Sequence, residues 1–213
     1  MKDLSHYRRS YEKGELIEGN LPDSPIEMFA TWFDQSEETA GAGEVNTMTL
    51  STVSAAGEVH ARIVLLKQFS KDGFTFFTNY QSQKARDMEY SKKVCLSFFW
   101  PTTERQVIIA GTVAKVPAAE SDAYFATRPR ASQLGAWASH QSAEVESREA
   151  LERKLHALEV QYANTEIPRP PHWGGYIVAP DSIEFWQGRP SRLHDRIVYR
   201  LENAQWKISR LSP

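Results

Sequence analysis

The segment PSRLHDRIVYR, residues 190–200, concentrates side chains that can carry positive charge or move a proton. Arg192, His194 and Arg196 follow one another at intervals of two residues. If the segment is a β-strand, these side chains point to one face, because successive strand residues alternate between faces. Arginine binds anions, and histidine exchanges protons near neutral pH. This strand face is therefore a candidate binding or catalytic surface.

Two further segments place basic side chains where an anion could bind. In RIVLLK, alternation along a strand predicts that Arg62 and Lys67 point to opposite faces, although strand ends in solvent give the same pattern. In NYQSQKAR, Ser82, Gln83 and Lys84 stand at a predicted helix start, where backbone N–H groups and the helix dipole favour an anion. An ordinary serine cap followed by a solvated lysine fits this second segment equally well.

Hydroxyl, amide and guanidinium groups recur near two later helices. Tyr124 and Arg128 are four residues apart and share a helix face. Together with Ser132 they suit a phosphate, because a guanidinium donates hydrogen bonds in a fork. Gln141 and Ser142 stand at the predicted start of a long helix, where Ser142 serves either as a cap or as a ligand contact. Solvated surface residues explain each of these features when it is taken alone.

Several kinds of chemistry are excluded by missing motifs. GAGEVN lacks the third glycine of a dinucleotide-binding fingerprint and precedes a strand. The chain has no GxxxxGK[ST] loop and no GxSxG elbow. Its six histidines show no HExxH or paired ligand spacing, and a lone cysteine, Cys95, cannot anchor a zinc site. We therefore expect no metal cofactor.

The composition indicates which cell compartment and which kinds of partner to expect. The net charge of -2 over 213 residues gives no reason to expect a nucleic acid or an anionic membrane as partner. A single cysteine excludes an internal disulfide and is typical of a reducing compartment. The N-terminus is too charged for a signal peptide, and no apolar run approaches the roughly 20 residues of a membrane span. These features predict a soluble cytoplasmic protein.

Hydrophobic periodicity predicts a mainly β fold with peripheral helices. The predicted strands are TMTLSTV, HARIVLLKQF, FTFFTN, KVCLSFFW, RQVIIAGTVAKV, YIVAPDSIEFWQG, RLHDRIVYRL and WKISRL. The predicted helices are SPIEMFATWFDQSEE, SQKARDMEYS, PAAESDAYFATRPR and SAEVESREALERKLHALEVQYAN. Short turns join most strands, which favours an antiparallel sheet or barrel over a doubly wound parallel sheet. We expect a single domain, residues 1–213, in which residues 1–23 are polar and irregular.

These segments, in this order, resemble one known family. RIVLLK, FFTN, QSQKARDME, ERQVIIAG, YFATRPRASQLGAWAS, PPHWGGYIV, IEFWQG and RLHDR together are similar to pyridoxine (pyridoxamine) 5′-phosphate oxidase. The resemblance runs from about Tyr7 to the C-terminal WKISRLSP, which is nearly the whole chain. The runs RPRxSQxGAW and EFWQGxxxRLHDR carry most of its specificity.

The resemblance implies a fold, a cofactor and a reaction. The fold is an antiparallel FMN-binding split β-barrel, and two copies form a homodimer that holds FMN at the subunit interface. The reaction is the oxidation of pyridoxine 5′-phosphate or pyridoxamine 5′-phosphate to pyridoxal 5′-phosphate. Oxygen is the electron acceptor, hydrogen peroxide is a product, and the amine substrate also releases ammonia.

The resemblance also assigns roles to residues at matching positions. Predicted FMN contacts are Arg62, Ile63, Val64, Leu65, Lys67, Phe77, Thr78, Gln83, Lys84, Gln106, Gln141, Ser142, Trp186 and Arg196. Predicted substrate contacts are Arg8, Tyr11, Lys67, Tyr124, Arg128, Ser132, Arg192 and His194. Arg192 and His194 are the predicted catalytic residues. The N-terminal segment, about residues 1–23, is expected to be mobile and to close over the site.

Three questions stay open at the level of sequence. The family usually has Arg-Lys where this chain has Gln83-Lys84, so we expect FMN binding to be retained but weaker, and Gln83→Arg to tighten it roughly fivefold. Either His194 or a bound water takes the substrate proton. A different flavin enzyme on the same barrel and a non-catalytic carrier of FMN or pyridoxal phosphate remain alternatives.

Overall fold

The structure is a computed structural model that describes residues 1–7, 9–41 and 43–213. Over these residues the helices are α1 (Pro25–Thr39), α2 (Gln83–Tyr90), α3 (Ala118–Thr127), α4 (Arg130–Ala138) and α5 (Arg148–Gln161). The strands are β1 (Thr47–Val53), β2 (Val59–Leu65), β3 (Gln68–Ser70), β4 (Gly73–Asn79), β5 (Lys93–Trp100), β6 (Arg105–Lys115), β7 (Trp173–Gln187), β8 (Asp195–Glu202) and β9 (Gln205–Leu211). Short 3-10 helices span Glu18–Asn20 and Pro190–Arg192.

The strands pair in the order β2-β1-β5-β6-β7-β4-β3, with β8 beside β7 and β9 beside β8. The pairs β3–β4, β4–β7, β7–β8 and β8–β9 are antiparallel. In the β7–β8 pair, Trp186 lies opposite Arg196. This antiparallel pairing confirms the predicted mainly β antiparallel fold.

The chain divides into two compact units. The first unit comprises Met1–Leu50, Cys95–Gly111 and Pro180–Pro213, and the second comprises Ser51–Val94 and Thr112–Ala179. Strands β1, β5, β6 and β7 contribute residues to both units. The expectation of a single domain stays a prediction, as does the mobility of residues 1–23. None of the helices in the described part of the chain is long and apolar enough to cross a membrane.

The core of the first unit forms where α1 packs its apolar stripe against strands. Phe29 is fully buried and contacts Phe98 with ring centroids 5.2 Å apart, and Trp32 contacts Phe185 at the same separation. The helix begins as its sequence predicts, because Ser24 accepts a hydrogen bond from the backbone N–H of Glu27. The buried aromatic stripe fixes α1 against the sheet.

The core of the second unit lies among α3, α4 and α5. Phe125, Leu134, Ile167 and Trp173 form its buried centre. Helix α4 is absent from the predicted elements, because Pro129 ends the preceding predicted helix and offers no side-chain cap that would mark a new helix start. Packing of Leu134 into this centre stabilises the helix instead, and the Gln133 side chain also donates to the carbonyl of Phe125 near the end of α3.

Several element boundaries differ from the sequence prediction. Helix α5 begins at Arg148 instead of near residue 142, because the Ser147 hydroxyl accepts from the backbone N–H of Ala150 and caps it there. Strand β2 ends at Leu65, so the predicted HARIVLLKQF strand is broken into β2 and β3. Strand β8 begins only at Asp195, after a 3-10 turn.

Candidate active site

A cleft of about 900 Å³ opens in the second unit. Many predicted FMN contacts line it: Arg62, Ile63, Val64, Leu65, Lys67, Phe77, Thr78, Gln83, Lys84, Gln141 and Ser142. The predicted clamp for the substrate phosphate, Tyr124, Arg128 and Ser132, lines it as well. Strands β2 and β4, the start of α2 and the α3–α4 turn therefore bring two predicted sets of residues into one cleft.

Lys84 lies at the base of the cleft and is held by neutral oxygen atoms. Its Nζ donates to Gln141 Oε1 at 2.8 Å, and to the hydroxyls of Thr78 and Ser82 at 3.3 Å each. Burial, together with the nearby charge of Arg62, lowers the pKa of Lys84 to about 8. The ammonium is therefore mostly protonated at neutral pH and available to an anion in the cleft.

A buried carboxylate, Asp87, organises the strand beside it. Its Oδ2 accepts from the Thr52 hydroxyl at 2.7 Å and lies 3.0 Å from Nδ1 of His60. The Arg62 guanidinium lies 3.7 Å from the same oxygen and donates to Thr52 at 2.6 Å. Burial opposes ionisation of Asp87, but hydrogen bonds from Thr52, His60 and Gln83 lower its pKa. Asp87 is thus an anion that orients Arg62 at the cleft.

The Gln83 side chain is bound along its own helix. Its Nε2 donates to Asp87 Oδ1 at 2.8 Å, and its Oε1 accepts from Arg86 at 2.7 Å. Its backbone N–H points the other way and donates to the Ser142 hydroxyl at 3.2 Å. Position 83 therefore contributes its backbone to the cleft, while its amide group serves Asp87.

Aromatic rings and one arginine form the opposite wall of the cleft. Phe77 stacks on Tyr124 with centroids 4.0 Å apart and on Trp173 at 5.6 Å. The Arg128 guanidinium lies 4.5 Å from the centre of the Trp173 ring. Within the described residues, Nη1 of Arg128 is buried and has no hydrogen-bond partner. Such a donor is costly to leave unpaired, so this end of the cleft is suited to an anion.

The first unit holds a second group of predicted residues around His194. Tyr11 meets the Trp186 ring edge-on at 5.7 Å and the His194 ring at 5.8 Å. The rings of Trp186 and His194 are 4.6 Å apart. The backbone N–H of Arg189 donates to Nδ1 of His194 at 3.0 Å. These contacts fix both the plane of the imidazole and the nitrogen that accepts a hydrogen bond.

The prediction that Arg192, His194 and Arg196 share one strand face is wrong. Arg192 ends a 3-10 turn and has a positive φ of 62°, next to Ser191 at 59°. Only Arg196 lies on β8, because the left-handed turn ends the extended backbone before residue 195. Arg192 is exposed, whereas His194 is half-buried.

Arg196 is held by an acidic partner on β7. Its Nε and Nη2 donate to the two oxygens of Glu184 at 2.8 and 3.1 Å, and its Nη1 donates to the carbonyl of Ser212 at 2.9 Å. The hydrogen bond with Glu184 raises the pKa of Arg196. Gln106, the remaining predicted FMN contact of this unit, is half-buried on β6. Arg8 lies outside the described residues.

Three local predictions about the cleft need correction. Arg62 and Lys67 do not lie on opposite faces of one strand, since Lys67 follows the end of β2 and both line the cleft. Arg128 lies just after α3 with extended backbone, so it does not share a helix face with Tyr124. Ser142 precedes α5 by several residues and has a positive φ of 69°.

Several residues that shape the site were missed. Asp87, His60 and Thr52 form the buried network behind Arg62, and Trp173 forms the aromatic wall. One signal was present in the sequence: His60 and Arg62 are two residues apart on a strand, so they share a face that an acidic residue could meet. Among the described residues, no group of three His, Cys, Asp or Glu side chains is placed to hold a metal.

Comparison with known proteins identifies the family. A family model described as pyridoxamine 5′-phosphate oxidase matches residues 37–162, and one described as the pyridoxine 5′-phosphate oxidase C-terminal dimerisation region matches residues 173–213. The chain belongs to the pyridoxine/pyridoxamine 5′-phosphate oxidase family. Proteins of that name share 53% identity over 214 residues in Flavobacterium psychrophilum and 51% over 210 residues in a Cyanothece species. These matches cover 100% of both chains in the first case, and 99% of this chain and 98% of the relative in the second.

Solved structures of this family share the fold. PhzG from Burkholderia lata, determined in complex with tetrahydrophenazine-1-carboxylic acid, has a TM-score of 0.87 and 28% identity over 93% of this chain and 98% of its own. A pyridoxamine 5′-phosphate oxidase-related, FMN-binding protein from Nostoc punctiforme has a TM-score of 0.71 and 16% identity over 91% of this chain and 100% of its own. The split β-barrel fold class predicted from the sequence is confirmed.

Proposed function

We propose that this protein oxidises pyridoxine 5′-phosphate and pyridoxamine 5′-phosphate to pyridoxal 5′-phosphate with bound FMN. Oxygen accepts the electrons and becomes hydrogen peroxide, and the amine substrate consumes water and releases ammonia. The observation that carries the proposal is the cleft of the second unit. Its lining includes Arg62 and Lys84 from β2 and α2 and Arg128 from the α3–α4 turn, which gives cationic groups for two phosphorylated ligands. Relatives that match this chain end to end carry the name of this activity.

The donors of the cleft fit a flavin phosphate at the start of α2. Arg62 and Lys84 provide charge there, and the N-terminus of α2 adds the positive end of the helix dipole. The Ser142 hydroxyl and the Gln141 amide lie at the same end. A dianionic phosphate matches two cations and a helix N-terminus. At the other end, the unpaired Nη1 of Arg128 fits a second phosphate.

When bound, FMN supplies the two-electron acceptor for the oxidised carbon of the substrate. The chain's own residues bind and orient. Arg128, Tyr124 and Ser132 hold the substrate phosphate, and the stacked rings of Phe77 and Trp173 exclude water from the cleft. Such positioning converts an encounter into a reaction within one complex, which is the main contribution of a protein whose cofactor carries the electrons.

His194 acts as a hydrogen-bond donor, and water takes the substrate proton. Nδ1 of His194 accepts from the backbone N–H of Arg189, so the neutral ring carries its proton on Nε2. That nitrogen can donate to a substrate oxygen but has no lone pair to accept a proton. Arg192, on the exposed turn beside His194, adds positive charge that stabilises negative charge as it develops during the reaction.

The protein functions as a homodimer in this proposal. The match of residues 173–213 to a region described as a dimerisation region supports this. Among the described residues of the predicted site, Tyr11, Gln106, Trp186, Arg192, His194 and Arg196 belong to the first unit, whereas the cleft residues belong to the second. A second copy offers its own first-unit residues to complete a site. Sedimentation of the FMN-loaded protein tests this: an active monomer would contradict it.

The deciding experiment is the absorption spectrum of the purified protein, before and after anaerobic addition of pyridoxine 5′-phosphate. We expect a flavin spectrum that the substrate bleaches, and that air restores with release of peroxide. A protein that binds no added FMN contradicts the cofactor assignment. Flavin that stays oxidised with both phosphorylated vitamers, but is bleached by another reductant in a substrate panel, identifies a different flavin enzyme. Flavin that no panel member reduces identifies a carrier.

A further inference from the structure

A buried carboxylate in the first unit lies beneath the N-terminal segment. Glu104 precedes β6 and is only 2% exposed. Its Oε2 accepts from the backbone N–H groups of Glu12 at 2.7 Å and Lys13 at 3.0 Å. Its Oε1 lies 3.4 Å from the guanidinium of Arg9. One carboxylate therefore binds the chain on both sides of Tyr11, which lies between these partners.

The surrounding backbone is built to hold this carboxylate in place. Glu104 has a positive φ of 57°, a strained conformation for a residue other than glycine. Its carbonyl accepts from the backbone N–H of Gly188 at 2.8 Å and from the Gln187 amide at 3.3 Å. Burying a charge is costly unless it is hydrogen-bonded, so this arrangement needs the two N–H groups of the N-terminal segment.

The position of Tyr11 depends on the same contacts. A Cβ at Gly188 would lie 2.7 Å from Cγ of Tyr11 and 3.2 Å from Cβ of Glu104, so only glycine fits between them. In this position the Tyr11 ring contacts both Trp186 and His194. Without the bonds to Glu104, the segment loses the anchors that stand next to Tyr11 in the sequence.

We propose that Glu104 is a positioning residue, which fixes the N-terminal segment so that Tyr11 holds His194 and its neighbour Trp186. The carboxylate itself contacts neither substrate nor cofactor in this proposal. The consequence for the substrate rests on the proposed function, whereas the anchoring of residues 9–13 does not. Amide hydrogen exchange therefore tests the anchoring, and steady-state kinetics test its effect on activity separately.

The test combines Glu104→Gly with Glu104→Gln. Glycine removes the carboxylate and adopts the positive φ without strain, so it leaves the turn able to fold. Glutamine keeps the size and one neutral acceptor. Glu12→Gln is the matched control, since it neutralises an exposed carboxylate within the anchored segment. Thermal unfolding and amide exchange in β7 verify that each variant is folded.

Hydrogen exchange of the Glu12 and Lys13 amides is the direct readout. We expect exchange there to accelerate roughly ten- to a hundredfold in Glu104→Gly, less in Glu104→Gln, and not at all in Glu12→Gln. The kcat for pyridoxine 5′-phosphate should fall about threefold to tenfold, with a smaller change in KM, because the loosened Tyr11 no longer holds His194. In a Tyr11→Ala background, Glu104→Gly should lower kcat by less than about a further twofold, because both changes act through one group.

Unchanged exchange at residues 12 and 13 in folded Glu104→Gly overturns the proposal. Faster exchange with an unchanged kcat also overturns it, because the anchored segment then does not serve His194. A kcat effect that is fully additive with Tyr11→Ala has the same meaning. If the native chain binds FMN but oxidises neither substrate, while exchange still responds to Glu104, the anchoring stands and the proposed function fails.

Discussion

Position 83 offers the sharpest test of the charge balance in the cleft. From sequence alone, arginine at this position should tighten FMN binding roughly fivefold by adding a cation beside the phosphate. The structure changes this expectation. Gln83 reaches Asp87 at 2.8 Å, one turn along α2, so an arginine at position 83 would meet a buried carboxylate first. We therefore predict that Gln83→Arg alone tightens FMN less than about twofold.

The magnitude follows from the competition between two anions. A unit charge pair 4 Å apart at an effective dielectric constant of 20 has a gross attraction of about 4 kcal/mol. Asp87 is 1% exposed, so solvent screens this attraction little. A part-exposed contact with the FMN phosphate gains only about 1 kcal/mol. The new guanidinium consequently stays with Asp87, whether FMN is present or not.

Replacing Asp87 releases that cation. In an Asp87→Asn background, Gln83→Arg should tighten FMN about fivefold, which corresponds to roughly 1 kcal/mol. The comparison is between single and double variants that share the Asp87→Asn change, so any effect of that shared substitution on Arg62 cancels. The gain should shrink at high salt, because screening weakens a part-exposed ion pair.

Titration of apoprotein with FMN, followed by quenching of flavin fluorescence, measures these affinities. Riboflavin is the matched control ligand, since it lacks the phosphate and its affinity should not respond to Gln83→Arg in either background. A fivefold gain from Gln83→Arg in the native background would refute the reasoning about Asp87. An equal gain for riboflavin would show that position 83 acts elsewhere than at the phosphate.

Three other predictions concern single groups. The ammonium of Lys84 binds the anion, and its pKa is about 8, so the affinity for FMN should fall about tenfold from pH 7 to pH 9. Lys84→Arg should remove this pH dependence, which FMN titrations at both pH values measure. His194→Gln, which keeps a donor near the position of Nε2, should retain at least tenfold more kcat than His194→Ala in steady-state assays, whereas equal losses would indicate a base. Arg128→Ala should raise KM about ten- to a hundredfold with little change in kcat, and Arg192→Ala should mainly lower kcat; the reverse pattern would exchange their roles.

Local signals in the sequence correctly predicted the elements that a helix cap or a regular hydrophobic pattern marks. Strands β1 and β5 have the predicted bounds, because apolar residues alternate along them between turn residues. Helix α1 begins at its Ser24 cap for the same kind of reason. Helix α4 was missed, since its stability comes from burying Leu134 among residues distant in sequence.

Contacts between distant segments account for what the sequence did not reveal about the site. The motif QKARDME placed Lys84 at a helix start, but two partners of Asp87, Thr52 and His60, lie on two strands more than twenty residues earlier. The turn at Ser191 and Arg192 could not be read from the local sequence, because neither residue is the glycine that normally marks a left-handed backbone. A left-handed backbone at these two residues overrides the strand pattern and redirects Arg192.

The partners of the cationic groups suggest where binding energy can arise in the cleft. Lys84 donates hydrogen bonds to neutral oxygens, and Arg62 donates to the Thr52 hydroxyl, which in turn donates to Asp87. A phosphate that binds Arg62 and Lys84 must replace or share the hydrogen bonds that these side chains already make, so its net gain in binding free energy is moderate. The cations nevertheless need little reorganisation to bind it. Arg128 differs, because its buried Nη1 lacks a partner among the described residues. A phosphate that reaches this nitrogen relieves a desolvation cost that the protein already bears, and the gain per hydrogen bond is larger there. The aromatic stack beneath Arg128 supplies the packing that keeps the guanidinium in this unsatisfied position.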